Sequence, residues 1–222
     1  MDAVIIALRG NEYSQARAKQ CIESADIDIE VFDAIGKDRA REVMQTHGLK
    51  WTWANNNTAA ATCPLSGLKQ HPYGQLEAKI GCSMSHYLLW RRCAQIGKPM
   101  LILEHDAVFV RPLPDVDFNG ICMINDPSGA TPLGDYWSDM MAARGPGLFP
   151  KTRVMPKGKP DGLAGNSAYM IKPWAADELV EAFHKYGVWP NDATMCIQLF
   201  PYLEELYPFV TTVNQSISTT TC

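Results

Sequence analysis

The N-terminal part of the chain alternates short apolar runs with longer amphipathic segments. The run AVIIAL, from Ala3 to Leu8, predicts a buried strand, and the segment SQARAKQCIES predicts a helix that Ser14 can cap. IDIEVFDAI predicts a second strand ending near Asp33, and RAREVMQTHG predicts a second helix that Gly48 stops. Because parallel neighbouring strands need a crossover between them, this alternation predicts an α/β fold with a mostly parallel sheet and helices on both faces.

The middle of the chain combines a largely buried helix with a strand that ends in acids. Residues 49 to 75 show no clear periodicity, which indicates a loop. The segment LEAKIGCSMSHYLLWRRCAQIGKP is apolar on two helical faces, so it predicts a mostly buried helix that Gly97 and Pro99 stop. The following MLIL predicts a buried strand that leads into Glu104, His105 and Asp106.

The C-terminal part is less regular. GICMIN predicts a strand, and about forty residues rich in Gly and Pro follow it, which is typical of a functional or disordered loop. NSAYMI then predicts another strand, and PWAADELVEAFHKYG predicts a helix with Pro173 in its first turn and Gly187 after its end. We interpret the chain as one domain of residues 1–222, with a nucleotide-sugar-binding part over about 1–126 and an acceptor-side part over about 127–222.

Composition and charge narrow the function classes. The 222 residues are 46% hydrophobic, which supports a substantial core. A formal charge of −4 gives no polybasic surface, so nucleic acid is not an expected partner. No segment approaches transmembrane length, and the seven cysteines form no C-x-x-C pair. We therefore expect reduced thiols in a cytoplasmic protein, in which the N-x-S/T sites at Asn56 and Asn214 are chance matches.

The acids at the end of MLIL suggest a metal site. Ligands of open α/β sheets bind beyond the carboxyl ends of the strands. In an extended chain, residues two apart point the same way, so we expect Glu104 and Asp106 to face one site and His105 to point elsewhere. Two carboxylates suit Mg²⁺ or Mn²⁺, which completes its shell with water and substrate phosphates. A surface pair of acids that binds a neighbouring Lys or Arg is the alternative.

Other polar residues carry weaker signals. Asp33 at the end of the second strand could bind a ribose or base, or it could be a simple turn acid. His86 favours a hydrogen-bonded core histidine, and Asp192 favours a helix N-cap. The long loop carries cations that could close over a diphosphate or simply be solvated: Arg144, Lys151, Arg153, Lys157 and Lys159. No dinucleotide fingerprint and no P-loop is present.

In order and spacing, several of these segments resemble glycosyltransferase family 25, which includes lipooligosaccharide galactosyltransferases and procollagen galactosyltransferases. IGCSMSH, followed by Trp90, is similar to the family's G-C-x-x-S-H helix, and LILEHDAVFV is similar to its L-x-L-E-D-D-V strand. EVFDAIG is similar to its segment ending F-D-A, and GNSAYMIKPWAADEL to its G-x-x-A-Y-x-I strand and helix. Arg17 and Asp192 fall where the family has an Arg and an acid, whereas His105 replaces the family's usual Asp.

The resemblance implies a Rossmann-like GT-A-type fold and a metal-dependent, inverting transfer of galactose or glucose from a UDP-sugar. The acceptor would be a hydroxyl group of a lipooligosaccharide, another glycan or a protein. With a lipooligosaccharide acceptor, the enzyme would act in lipopolysaccharide biosynthesis. Mn²⁺ or Mg²⁺ would bind Glu104 and Asp106, and Asp192 would be the general base, with Asp161 as second choice. The implied donor-binding residues are Leu8, Arg17, Asp33, His86 and Glu104.

Two other functions stay open at this point. A metal-dependent nucleotidyltransferase or phosphohydrolase would use the same acidic strand end on a similar sheet. A noncatalytic nucleotide-sugar-binding relative is the second, in which His105 would mark the loss of activity.

Overall fold

The structure is a computed structural model of the chain, and it describes residues 1–55, 60–72, 74–129, 133–152, 155–163 and 165–213. The elements follow one another in the order β1 (Asp2–Ala7), α1 (Glu12–Ser24), β2 (Glu30–Asp33), α2 (Ala40–Thr46), β3 (Ala61–Thr62), β4 (Lys69–Gln70), α3 (Leu76–Ile96), β5 (Met100–Glu104), β6 (Ala107–Phe109), β7 (Ile121–Met123), α4 (Gly134–Arg144), β8 (Gly147–Pro150), β9 (Ala168–Ile171), α5 (Pro173–Tyr186), α6 (Asn191–Thr194), β10 (Leu203–Tyr207) and β11 (Thr211–Val213).

Seven strands form one mixed sheet in the order β2-β1-β5-β9-β7-β10-β8. β1 is parallel to β2 and β5, and β7 is parallel to β10. β9 is antiparallel to β5 and β7, and the edge strand β8 is antiparallel to β10. Within this sheet, all strands except β8 and β9 therefore point the same way. The carboxyl ends of β1, β2 and β5 meet at one edge. The predicted α/β class with a mostly parallel sheet is confirmed.

The apolar run of β1 is explained by burial on both faces of the sheet. Val4 and Ile6 pack on one face into the core formed with α2, α3 and α5. Ile5 and Ala7 pack on the other face, together with α1 and β6. A strand covered on both sides needs apolar residues at every position, which is why its sequence does not alternate.

Local signals set several helix ends. Asn11, rather than the predicted Ser14, caps α1, because its side-chain oxygen accepts a hydrogen bond from the Ser14 N–H at 2.9 Å. Gly97 ends α3 in the left-handed region, with φ of 71°. Pro173 occupies the first turn of α5, where its missing N–H costs no helical hydrogen bond.

The long segment after β7 differs from its prediction. It was expected to be an irregular loop, but it contains the helix α4 and the strand β8, which pairs with β10. The expectation of an irregular loop is therefore wrong for residues 134–150, whereas residues 151–152 and 155–163 belong to no helix or strand. Closure of this segment over a diphosphate stays a prediction. Residues 130–132, Arg153, Asn56 and Asn214 lie outside the described part of the chain.

Within the described ranges, no helix combines the length and the apolar character needed to span a bilayer. The six cysteines in these ranges are free thiols.

Candidate active site

A cavity of about 610 Å³ opens at the shared carboxyl edge of β1, β2 and β5. Its walls come from the loops after these three strands and from the N-terminal half of α3, and its volume lies in the range of small-molecule sites. The charged residues of the lining are Arg9, Asp33, Lys37, Asp38, Arg39 and Glu104, with the histidines His86 and His105.

Glu104 ends β5 and is held by a buried histidine. The Nε2 atom of His86 lies 3.2 Å from Glu104 Oε1, and its Nδ1 atom lies 2.8 Å from the hydroxyl of Tyr169. Trp90 donates its indole N–H to the same hydroxyl at 2.7 Å. The predicted core histidine is therefore confirmed, and it lines the cavity beside Glu104.

The environment of Glu104 favours its ionised form. Burial alone would raise the pKa of this carboxyl group, but its hydrogen bond with His86 opposes this, His105 and Lys79 add to the effect, and the net shift is downward. The pKa is lowered as a result, so a carboxylate faces the cavity at neutral pH.

His105 and Asp106 form a tight turn between β5 and β6. The extended geometry assumed from the sequence ends at Glu104, so the alternation of side chains also ends there. His105 lines the cavity, with its ring 6.4 Å from that of Tyr13, and the expectation that it points elsewhere is wrong. Asp106 is not part of the cavity lining, and it lies close enough to Cys21 and Cys82 to raise the pKa of both thiols beyond the effect of burial.

Asp192 lies on the short helix α6, which docks against α3. The thiol of Cys82 donates to the side-chain oxygen of Asn191 at 3.6 Å, and Asp192 is the next residue. Burial raises the pKa of Asp192, the charge of Glu104 raises it further, and Lys79 and the Ala193 N–H oppose this. Pro190 holds the N-cap position of α6, so the interpretation of Asp192 as an N-cap is wrong.

The family follows from the N-terminal half of the chain. Residues 1–116 match the model of glycosyltransferase family 25, described as an LPS biosynthesis protein family. The chain belongs to glycosyltransferase family 25. It is a glycosyltransferase, as the acidic end of β5 and the motif helix α3 predicted.

Two solved structures show a weaker likeness. Mouse xyloside xylosyltransferase 1 in its apo form has a TM-score of 0.38 and 12% identity, over 91% of this chain and 83% of that chain. The CTP:phosphocholine cytidylyltransferase LicC of Streptococcus pneumoniae has a TM-score of 0.37 and 12% identity, over 95% and 91%. At these scores the likenesses add nothing to the family assignment. No curated protein matches the chain.

The family 25 glycosyltransferase brings four of its five predicted donor-binding residues to one cavity: Leu8, Asp33, His86 and Glu104. Arg17 is not in the lining, because its side chain lies along α1. It donates to the Tyr13 hydroxyl at 3.3 Å and to Gln20 at 2.9 Å. Its contact with the cavity runs through Tyr13, which is a lining residue.

Sequence reasoning missed the cations of the cavity. Arg9 lies in the loop after β1, and Lys37 and Arg39 lie in the loop after β2, and this position was the available signal. The cations predicted instead lie elsewhere: Lys151 is buried 3.0 Å from Glu205, and Arg144 contacts Thr152 and the ring of Phe149. Arg144, Lys151, Lys157 and Lys159 are absent from the lining of this cavity.

The hydrogen bonds of Asp161, the second choice for the base, hold the backbone and side chains around it in place. Its carboxylate accepts hydrogen bonds from the Met155 N–H at 2.5 Å and from the Gln198 side chain at 2.8 Å. The adjacent Gly162 lies so close to α6 that a Cβ atom there would be 1.9 Å from the Asp192 carbonyl oxygen. Asp161 therefore holds the loop on which α6 rests, and it does not line the cavity.

One group of three described side chains has the spacing of a metal site. Ligand atoms of Cys82, His86 and Glu104 lie within 4.8 Å of one another. Burial raises the pKa of the Cys82 thiol well above its usual value, and both ring nitrogens of His86 have hydrogen-bond partners. This mixed sulfur, nitrogen and oxygen set does not fit a hard cation such as Mg²⁺ or Mn²⁺.

Proposed function

We propose that this glycosyltransferase transfers a galactose or glucose unit from a UDP-sugar to a hydroxyl acceptor, with inversion at the anomeric carbon. The observation that carries the proposal is the cavity with the ionised Glu104 on its wall and the half-buried Asp192, which follows the Asn191 that contacts the lining residue Cys82. The acceptor would be a lipooligosaccharide, another glycan or a protein hydroxyl group.

The loops after β1 and β2 supply groups suited to the nucleotide. Asp33 accepts a hydrogen bond from the Arg9 N–H at 3.2 Å and is 43% exposed, so its carboxylate can also accept from ribose hydroxyls. In this part of the cavity the cations Arg9, Lys37 and Arg39 outnumber the acids Asp33 and Asp38 by one, and the net positive charge favours a diphosphate.

The proposed cofactor is Mn²⁺ or Mg²⁺, held by Glu104 and Asp106. Both are carboxylate oxygen donors, which suit such an ion, and they stand two residues apart at the carboxyl end of β5. Two protein ligands leave room for water and the donor phosphates in an octahedral shell. When bound, the ion would neutralise the charge that builds up on the departing diphosphate.

Asp192 is the proposed general base. A base must take the proton of the acceptor hydroxyl while its oxygen attacks the anomeric carbon and the bond to the diphosphate breaks on the other side. Asp192 belongs to a different segment than Glu104 and Asp106, as this geometry requires. Its raised pKa brings it nearer to neutral pH than an ordinary Asp, which favours proton transfer.

Transfer assays with a panel of acceptors test the proposal. Incubation with UDP-galactose or UDP-glucose and Mn²⁺ should release UDP and give a product whose anomeric configuration is opposite to that of the donor. Excess chelator and Asp106→Asn should both reduce the rate by about ten-fold or more, as loss of a metal ligand usually does. Asp139→Asn, at an exposed acid of α4, is the matched control and should leave the rate unchanged.

Two results would contradict the proposal. Full activity in chelator, together with full activity of Asp106→Asn, would remove the metal from the mechanism. Incorporation of a nucleotide from a nucleoside triphosphate, without hexose transfer, would favour the nucleotidyltransferase alternative.

A further inference from the structure

Three fully buried polar side chains lie in a row behind Glu104. Trp90, Tyr169 and His86 each have 0% exposure. The Tyr169 hydroxyl lies between the other two, 2.7 Å from the indole nitrogen of Trp90 and 2.8 Å from Nδ1 of His86. The row ends in the 3.2 Å contact between His86 and Glu104. Buried polar groups this close together are stable only when every donor finds an acceptor.

The chemistry of the groups sets the direction of each hydrogen bond. An indole N–H can only donate, so the Tyr169 oxygen accepts from Trp90. The single hydroxyl proton of Tyr169 is then available for His86 Nδ1, which must be the unprotonated nitrogen of a neutral ring. The ring proton therefore sits on Nε2 and is donated to the carboxylate of Glu104, which can only accept when it is ionised.

The reverse arrangement leaves groups unsatisfied. If Nδ1 carried the proton, the bare Nε2 of a neutral ring would face a carboxylate oxygen at 3.2 Å, and two acceptors at that distance repel each other. The hydroxyl of Tyr169 thus selects the tautomer of a histidine that it contacts, and this tautomer holds the acid on the cavity wall.

The backbone fixes the distances in this row. Tyr169 lies on β9, in register with Ile102 of β5, so it is on the same sheet face as Glu104, two residues further along β5. The Glu104 N–H donates to the Ser167 carbonyl at 2.7 Å, which joins the ends of the two strands. Trp90 and His86 are one turn apart on α3.

We propose that Tyr169 is a positioning residue for sugar transfer, which acts through the tautomer of His86 on the orientation of the Glu104 carboxylate in the donor cavity. The proposal rests on the proposed function, because it assigns the carboxylate to the donor.

A matched pair of variants separates positioning from stability. Tyr169→Phe keeps the ring but removes the hydroxyl, and should lower kcat by about 10- to 100-fold while the donor KM changes little. Leu179→Ala, at a fully buried position of α5 outside this row, removes part of the core and leaves the bond from Tyr169 to His86 in place. It should lower Tm at least as much as Tyr169→Phe but keep kcat within about three-fold, because stability and positioning are then separate effects.

A double-mutant cycle tests whether Tyr169 acts through Glu104. In the Glu104→Gln background, whose residual transfer is measured with concentrated enzyme, Tyr169→Phe should cause little further loss, since residues in one network are not additive. An equal fold-loss from Tyr169→Phe in the wild-type and Glu104→Gln backgrounds would overturn the proposal. So would a kcat loss in Leu179→Ala as large as that in Tyr169→Phe.

The tautomer can be read without any substrate. Long-range ¹H–¹⁵N spectra distinguish the two neutral forms, and the chain has five histidines, so His86 can be assigned with a His86→Gln variant. We expect the Nε2–H form in the wild type and a mixture of forms in Tyr169→Phe. An Nδ1–H form in the wild type overturns the positioning role. Absence of hexose transfer in a protein with the expected tautomers contradicts the proposed donor instead.

Discussion

At the level of single residues, burial and nearby charge determine how readily Asp192 can accept a proton. A raised pKa means that the folded protein binds this proton more tightly than the unfolded chain does. Ionised Asp192 therefore lowers stability at neutral pH, and its contribution becomes favourable only as the pH falls. Activity shows the opposite trend, because only the ionised form is a base. When the transfer rate is measured at successively lower pH, it should begin to fall at a higher pH than it would with an ordinary Asp as the base.

Asp192→Asn should reduce transfer by about two to four orders of magnitude, because the amide keeps the shape but cannot take a proton. Donor affinity should be retained, and Tm should stay the same or rise, since a buried charge is removed. Transfer rate, UDP calorimetry and thermal unfolding on this one variant test all three. Asp161→Asn is the contrast: it loses an acceptor for Gln198, so its Tm should fall while the folded protein stays active. Near-normal transfer by Asp192→Asn would assign the base elsewhere.

Among the elements, α3 contributes most to the site because it approaches the loop after β2 very closely. A Cβ atom on Gly81 would lie 2.3 Å from the Ile35 carbonyl oxygen, and Ser85 accepts the Ile35 N–H at 2.9 Å. Both Ile35 and Ser85 line the donor cavity, so the glycine of the G-C-x-x-S-H motif sets the width of that cavity.

Gly81→Ala should lower both Tm and donor affinity, although alanine in a helix would by itself add about 1 kcal/mol of stability. The new methyl group must displace the Ile35 backbone, which moves one wall of the cavity. Thermal unfolding with and without UDP measures both effects. Gly10→Ala is the control for folding, since its Cβ atom would meet nothing within 4 Å, and its Tm should be unchanged. A Gly81→Ala protein that is more stable and binds UDP normally would show that the loop after β2 can move without changing donor binding.

The edge strand β8 is joined to β10 by a buried ion pair. Lys151 and Glu205 are each 1% exposed at the side chain and 3.0 Å apart, and the ammonium group lies 4.8 Å from the centre of the Trp137 ring. Glu205→Leu leaves an uncompensated buried charge and should cost about 3–5 kcal/mol, whereas the double variant with Lys151→Met should recover most of this loss. Urea denaturation measures both. If Lys151 bound the donor instead, the double variant would be stable but unable to bind UDP.

For the molecule as a whole, the predictable parts are those with a continuous local pattern. The apolar runs of β1 and β5 and the long α3 have enough residues to be recognised from the sequence. The assignment of Asp192 as the base came from the family resemblance, because no periodicity connects it to Glu104, and it stays a prediction. β6, β8 and β11 have three or four residues each, and pairing with distant strands decides their structure, so no local pattern marked them. The side chain of His105 was misplaced because a turn begins where an extended chain was assumed.

The position of β9 determines how late during synthesis the donor cavity is completed. This strand inserts between β5 and β7, although residues 168–171 emerge from the ribosome well after the family-matching residues 1–116. At about 5–20 residues per second, β5 waits several seconds with an open edge before its neighbour arrives. Tyr169 comes with that neighbour, so a nascent chain can collapse around its first strands long before the acid on the cavity wall is held in place.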